Sequence, residues 1–144
     1  MESSKTILVP TDFQDASLDA LAAARELAGR LGLEIVLLHT YTIPVVVYPG
    51  FDPIIAPGLP EEIGGTAKTA LEKLAAEHGG LRSILRAGDP ATEILRVIDE
   101  LKPAMVAMGT HGRSGLTHLL LGSVTEKIVR ASPVPVLTIH AKAR

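Results

Sequence analysis

Short runs of apolar residues alternate along the chain with longer stretches in which apolar positions recur at helical spacing. The runs cover residues 6–10, 34–40, 82–86, 104–108 and 134–139. Ile, Val and Leu are nearly continuous in the first, second and fourth runs, which is typical of strands covered by helices on both faces. The alternation therefore predicts an α/β fold, a doubly wound sheet of five parallel strands with helices on both faces.

Capping signals mark the predicted helix starts. Asp15 is predicted to cap the helix that follows the first strand. Asp89 followed by Pro90 predicts an N-cap and a first-turn proline for a helix after the third strand. Ser123 and Glu126 form an S-x-x-E pattern, which predicts a capping box and a last helix that begins at Ser123.

Composition narrows the class of protein. With 144 residues, of which 47% are hydrophobic, the chain is predicted to form one domain over residues 1–144. A net charge of −2 and only two Tyr and two Phe argue against nucleic acid as a partner. Cysteine is absent, the first residues do not resemble a secretory signal, and no run is apolar enough for a membrane span. We expect a soluble cytoplasmic protein without a membrane partner.

The segment 41–60 breaks the regular spacing, because it holds five of the ten prolines. It is predicted not to be helical, and it is unusually apolar for a loop. Two interpretations are open: a loop packed on its own domain, or a lid or contact surface for a partner.

A glycine motif follows the fourth run. Gly109, Gly112 and Gly122 lie two and then nine intervening residues apart, and Ser123 follows directly. A buried strand that leads into such a turn and then into a helix offers backbone N–H groups and a positive helix end to an anion. The layout predicts a phosphate site near residues 109–126. The alternative is that the glycines are structural and Ser123 only caps its helix.

Asp12 follows the first strand, and in a doubly wound sheet ligands bind beyond the carboxyl ends of the strands. Its carboxylate can accept hydrogen bonds from the vicinal hydroxyls of a ribose, or it can brace the first helix instead. Neither the P-loop pattern nor the dinucleotide fingerprint is present. If the first and fourth strands are neighbours, the sugar and phosphate sites lie side by side.

These residues carry a family resemblance. The stretches VPTDFQDAS, LLHT, AGDPATEI and MGTHGRSGLTHLLLGSVTEKIVRASPVPVLTI resemble the universal stress proteins over nearly the whole chain. The G-x2-G-x9-G-[ST] pattern is similar to that of the branch that binds ATP. The resemblance implies the strand order 3-2-1-4-5, in which the first and fourth strands are adjacent.

The resemblance also implies roles for individual residues. Asp12 would bind the ribose. Pro10, Thr11, Thr40 and Met108 would surround the adenine and ribose, and Gly109, Gly112, Gly122 and Ser123 would bind the phosphates. Thr40 stands where family members often have valine, which leaves the base preference open. Arg113 lies within the glycine loop and is a further candidate to neutralise phosphate.

Three functions remain in competition. The leading hypothesis is a stress-response binding module whose state depends on ATP, with Mg²⁺ shared by phosphate oxygens. The second is a slow ATP phosphohydrolase in which His111 orients a water, although no catalytic residue is assigned. The third is an interaction protein that binds another chain through residues 41–60. His111 and His118 lack partners of suitable spacing, so no metal site is predicted.

Pro135 is predicted to lie within the last strand. Proline has no N–H to donate, and a central strand would lose a ladder hydrogen bond there, so this strand is placed at an edge of the sheet. Val134, Val136 and Thr138 could then pair with the same residues of a second copy, as family members commonly do. We expect a homodimer.

Overall fold

The computed structural model describes residues 4–110 and 121–142. These form five strands, β1 (Thr6–Pro10), β2 (Glu34–Tyr41), β3 (Arg82–Ala87), β4 (Met105–Gly109) and β5 (Val136–Ile139). Four helices alternate with them, α1 (Asp15–Leu31), α2 (Leu59–Glu77), α3 (Pro90–Leu101) and α4 (Ser123–Ala131). All strand pairs are parallel, and the sheet has the order β3-β2-β1-β4-β5. The predicted fold is confirmed.

Each face of the sheet packs on its own pair of helices. On one face, Ile7 and Val9 of β1 pack with Leu21 of α1 and Leu71 of α2. On the other face, Leu8 packs in a second cluster with α3 and α4 side chains. Consecutive β1 residues point to opposite faces, so a strand covered by helices on both sides is buried along its whole length. This is why all of β1 is buried.

The helix starts differ in part from prediction. Asp89 is the N-cap of α3, and its carboxylate accepts a 3.0 Å hydrogen bond from the Thr92 amide, as predicted. Asp15 was predicted to cap α1, and this is wrong. The N-cap is Gln14, which makes no side-chain capping bond, and Asp15 is the first residue inside the helix. There its charge still favours the positive end of the helix dipole.

The last helix begins at Ser123, as predicted, but the capping box is wrong. Gly122 is the N-cap, and it makes no side-chain capping bond. The Glu126 amide donates to the carbonyl of Gly122 at 2.9 Å. Ser123 therefore lies one position too far into the helix to act as the cap.

The segment 41–60 is mostly irregular, with exposed side chains. Its last two residues belong to α2, where Pro60 is tolerated in the first turn, so the prediction of no helix is wrong there. Val46 and Ile54 form an isolated antiparallel bridge, with two 2.9 Å hydrogen bonds between their backbones. Seven apolar side chains of the loop are 46–73% exposed, namely Val45, Val46, Val47, Tyr48, Phe51, Ile54 and Ile55. The structure therefore leaves a large part of each of these apolar side chains exposed.

The last strand lies at an edge of the sheet, as predicted. Pro135 precedes β5 rather than lying within it, and its carbonyl accepts a 2.9 Å hydrogen bond from the Val106 amide. Proline can take this place because it contributes only its carbonyl to the ladder. Within residues 4–110 and 121–142, no helix combines the length and apolar character that crossing a bilayer requires.

Candidate functional site

A pocket of about 490 Å³ opens at the carboxyl ends of β1, β2 and β4. The structure brings eight predicted site residues to it: Pro10, Thr11, Asp12 and Thr40 from β2 and the end of β1 with the turn that follows, and Met108, Gly109, Gly122 and Ser123 from the end of β4 and the start of α4. Strands β1 and β4 are neighbours, with Ile7 opposite Met105. The sheet therefore reverses its winding direction at this pocket, where doubly wound folds bind ligands.

Part of the prediction falls outside the described residues. Gly112 and Arg113, which were assigned to phosphate, lie in the segment 111–120. His111 and His118 lie there as well. Their roles stay predictions.

The turn between β1 and α1 forms one wall of the pocket. Thr11 donates its amide to the Leu38 carbonyl at 2.8 Å, which fastens the turn to β2. Phe13 has φ +64°, a left-handed conformation that costs a residue with a side chain about 1 kcal/mol. Its ring lies on His39, with centroids 4.5 Å apart. His39 in turn donates from Nδ1 to the Thr11 carbonyl at 2.7 Å, so packing and hydrogen bonding hold the strained turn in place.

The carboxylate of Asp12 is engaged on one oxygen. Oδ1 accepts 2.9 Å hydrogen bonds from the amide of Gln14 and from the hydroxyl of Ser17. Bracing of the first helix, the alternative to ribose binding, is therefore real. It does not use the whole group, since Oδ2 receives no hydrogen bond from the described residues. Asp12 can brace α1 and still present an acceptor to the pocket.

The opposite wall is the first turn of α4. Gly122 donates its amide to the Thr110 carbonyl at 2.5 Å, and the Thr125 hydroxyl donates to the Gly109 carbonyl at 2.8 Å. The first-turn amides of an α-helix have no carbonyl of the same helix to bond. Ser123, Val124 and Thr125 supply those amides, and all three line the pocket. This wall offers N–H donors and a positive helix end to an anion.

Gly109 has a structural reason to be glycine. A Cβ at this position would lie 2.6 Å from the backbone carbonyl carbon and 2.8 Å from the Cβ of Ala16 in α1. The absence of a side chain lets α1 approach β4 closely. Its assignment to phosphate binding stays a prediction, because helix packing alone explains the glycine.

The start of α3 also reaches the pocket, through Pro90. The carboxylate of its cap, Asp89, accepts hydrogen bonds from the amide and the hydroxyl of Thr92. These bonds, the amide bond foremost, hold the pKa of Asp89 below its ordinary value, and the positive charge of Lys127 acts in the same direction.

Sequence reasoning missed several residues of the pocket. Val124 and Thr125 lie within the predicted phosphate region 109–126 but were not named individually, although they follow Ser123 in the same helical turn. Ile94 of α3 forms part of an apolar wall, and nothing local in the sequence marks it. Ser17, five residues after Asp12, also lines the pocket.

Comparisons with known proteins agree with this architecture. The sequence profile of the universal stress protein family matches residues 3–140. Universal stress protein MJ0531 of Methanocaldococcus jannaschii is 34% identical over 139 residues, which cover 94% of this chain and 81% of that protein.

Two solved structures have the same fold. The structure of MJ0577, a universal stress protein of the same organism, aligns with a TM-score of 0.78 at 26% identity, covering 99% of this chain and 100% of the other. A universal stress protein solved in complex with cAMP aligns with a TM-score of 0.70 at 22% identity, covering 98% and 100%. At that identity the second likeness shows the fold alone.

Proposed function

The chain belongs to the universal stress protein family, and we propose that it is a binding module whose ligand is an adenine nucleotide, with ATP as the first candidate. One observation carries the proposal: the Asp12 carboxylate and the open first turn of α4 line the same pocket. A nucleotide has the matching pair of groups, hydroxyls that donate to a carboxylate and phosphates that accept from amides. Binding of the nucleotide would change the shape of the protein or the partner that it binds, and the response to stress would be regulated in this way.

Each part of a nucleotide has a matching surface. Leu38, Ile94 and Met108 supply apolar contacts for a base, and the Thr40 hydroxyl adds one polar group to that part of the pocket. Asp12 would bind the ribose through Oδ2. The amides of the first turn of α4 would bind the phosphates, together with the side chain of Ser123. Gly112 and Arg113 would join the phosphate site from the segment outside the described residues.

Mg²⁺ fits this site as a companion of the phosphates. Within the described part of the chain, no group of three or more His, Cys, Asp or Glu side chains could hold a metal ion. Mg²⁺ in nucleotide sites is commonly held by phosphate oxygens and waters with one or two carboxylates, so it needs no such cluster. When bound with ATP it would neutralise phosphate charge.

Calorimetry with Mg-ATP tests the proposal directly. The wild type should bind, and Gly122→Val should not, because its side chain would enter the space in front of the α4 amides. Gly65→Val is the matched control, since Gly65 is an exposed residue of α2 with nothing within 4 Å of an added Cβ. Titrations with adenosine and with cAMP separate the contribution of the phosphates. Equal Mg-ATP affinity in wild type and Gly122→Val would refute the phosphate site.

We further propose that two copies pair through β5. Pro135 and Ile139 turn their carbonyls to β4, where they accept from Val106 and Thr110. Backbone direction alternates along a strand, so Val136 and Thr138 present their N–H and C=O groups to the open edge. Analytical ultracentrifugation should show a dimer at micromolar concentration, and Thr138→Pro should give a monomer because it removes an outward donor. A monomeric wild type would exclude the pairing.

A further inference from the structure

Two buried hydroxyls lie behind the Asp12 carboxylate. Thr11 and Ser17 are each only 6% exposed, and their oxygens lie 3.1 Å apart. Ser17 Oγ also lies 2.9 Å from Asp12 Oδ1 and 2.9 Å from the carbonyl oxygen of Gln14. Thr11 Oγ1 accepts a 3.0 Å hydrogen bond from the amide of Phe13. The four groups form a short chain of hydrogen bonds that ends on the carboxylate.

The chemical groups at the two ends of this series of hydrogen bonds determine which group donates at each step. A hydroxyl has one proton to donate. Ser17 has three acceptors in reach, the Asp12 carboxylate, the Gln14 carbonyl and the Thr11 hydroxyl, and the carboxylate is the strongest because its hydrogen bond is charge-assisted. The Ser17 proton is then committed to Asp12, so Thr11 must donate to Ser17. Protons point from the Phe13 amide through Thr11 and Ser17 to Asp12, and such aligned bonds strengthen one another.

We infer that Ser17 is a positioning residue that determines the sugar specificity of the pocket. By donating to Oδ1 together with the Gln14 amide, it fixes the plane of the Asp12 carboxylate and leaves Oδ2 for a ligand hydroxyl. The inference rests on the proposed function and adds to it the residue that makes Asp12 prefer a nucleotide with a free vicinal diol over one without it.

The strained turn gives this arrangement its rigidity. Phe13 holds a left-handed conformation only because its amide and its ring have partners, Thr11 and His39. A carboxylate on such a turn cannot swing freely around its backbone, and its remaining freedom is rotation about its own side-chain bonds. The Ser17 hydroxyl removes that freedom. A preorganised acceptor binds a diol more tightly than one that must first be ordered.

The test compares Mg-ATP with Mg-2′,3′-dideoxy-ATP by calorimetry on wild type and Ser17→Ala. Ser17→Ala should weaken ATP about 5- to 10-fold, since one charge-assisted hydrogen bond to the carboxylate is lost while the Gln14 bond remains. The dideoxy nucleotide has no diol, so its affinity should change less than about 2-fold. Ser17→Cys keeps the volume with a weaker donor and should fall between wild type and Ser17→Ala for ATP.

The control is Ser132→Ala, which removes a half-buried serine whose hydroxyl bonds the Val134 carbonyl and which does not line the pocket. It should leave both affinities unchanged. Equal losses for ATP and dideoxy-ATP in Ser17→Ala and Ser17→Cys would overturn the positioning role while the proposed function stands. If wild type binds neither nucleotide, the proposed function fails and the Ser17 role fails with it.

Discussion

Two helices, α3 and α4, begin at the same pocket, and their first turns are built in opposite ways. The start of α3 is closed: the Asp89 carboxylate bonds the Thr92 amide and Pro90 has no N–H to offer. The N-cap of α4 is Gly122, which has no side chain that could bond the amides of the first turn. The positive end of α3 is thus already matched by a carboxylate of its own chain, whereas that of α4 is left for another anion.

The difference shows which helix end is a binding surface. Helix N-termini are common, and most are satisfied by their own caps. The first turn of α4 lies in a pocket, follows a glycine cap and keeps its amides for the pocket. In these features, which an anion requires, it differs from the first turn of α3. Substitutions at Gly109, Gly122 and Asp89 test whether the two helix starts differ in this way.

Gly109→Ala should have the largest effect, because it disturbs the support of α4. An added Cβ would meet the Ala16 backbone at 2.6 Å, and the Gly109 carbonyl holds the Thr125 hydroxyl. We expect the free energy of unfolding to fall by about 3 kcal/mol. Urea denaturation measures this.

Gly29→Ala is the matched control for that substitution. Gly29 lies in α1 with nothing within 4 Å of an added Cβ. Alanine there should raise the free energy of unfolding by about 0.5–1 kcal/mol, because glycine is a poor helix former. Similar effects at the two positions would show that the approach of α1 to β4 is not tight.

Gly122→Asp gives α4 the kind of cap that α3 has. The backbone of Gly122, at φ −61° and ψ 159°, accepts an aspartate cap. The variant should melt at a higher temperature and bind Mg-ATP at least about 10-fold more weakly, because the new carboxylate takes the amides and repels phosphate. Gly122→Asn caps without charge and should lose less affinity. Unchanged ATP affinity in the aspartate variant would contradict the role assigned to α4.

Asp89→Ala opens the start of α3 and should have the smallest effect. The melting temperature should fall by about 4 °C at neutral pH, whereas Asp89→Asn keeps an acceptor and should fall less. The pKa of Asp89 is lowered in the folded state, so its contribution is complete above the ordinary value of 3.8. It is lost as the pH falls through the lower folded pKa. Melting curves of wild type and Asp89→Ala should therefore converge in acid, and a constant gap would show that the charge contributes nothing.

The sheet could be predicted because its signal is carried by whole segments. Near-continuous apolar runs mark β1, β2 and β4, and the observed bounds lie within two residues of the predicted ones. The strand order came from family resemblance, because apolar runs alone do not say which strands are neighbours. Cap positions depend on a single residue, and pattern reasoning was right at Asp89 but wrong at Asp15 and Ser123. Ser123 satisfied the S-x-x-E pattern, yet the N-cap of α4 is Gly122, one residue earlier, and Ser123 is the first residue of the helix.

The candidate site was predictable where its residues follow strand ends. Asp12 is the second residue after β1, and Gly109 is the last residue of β4. In this fold class, ligands bind at such strand ends. Ile94 and Ser17 could not be found in that way, because helices packed over the sheet bring them to the pocket. The loop of residues 42–58 shows the same limit: its prolines mark an irregular segment, but exposure of its apolar side chains depends on the fold.

The bond between the Gly122 amide and the Thr110 carbonyl joins the two ends of the glycine segment directly. The bond holds the end of β4 against the start of α4 through backbone atoms alone. Side chains around the pocket can therefore be exchanged for a different ligand while this backbone frame stays in place.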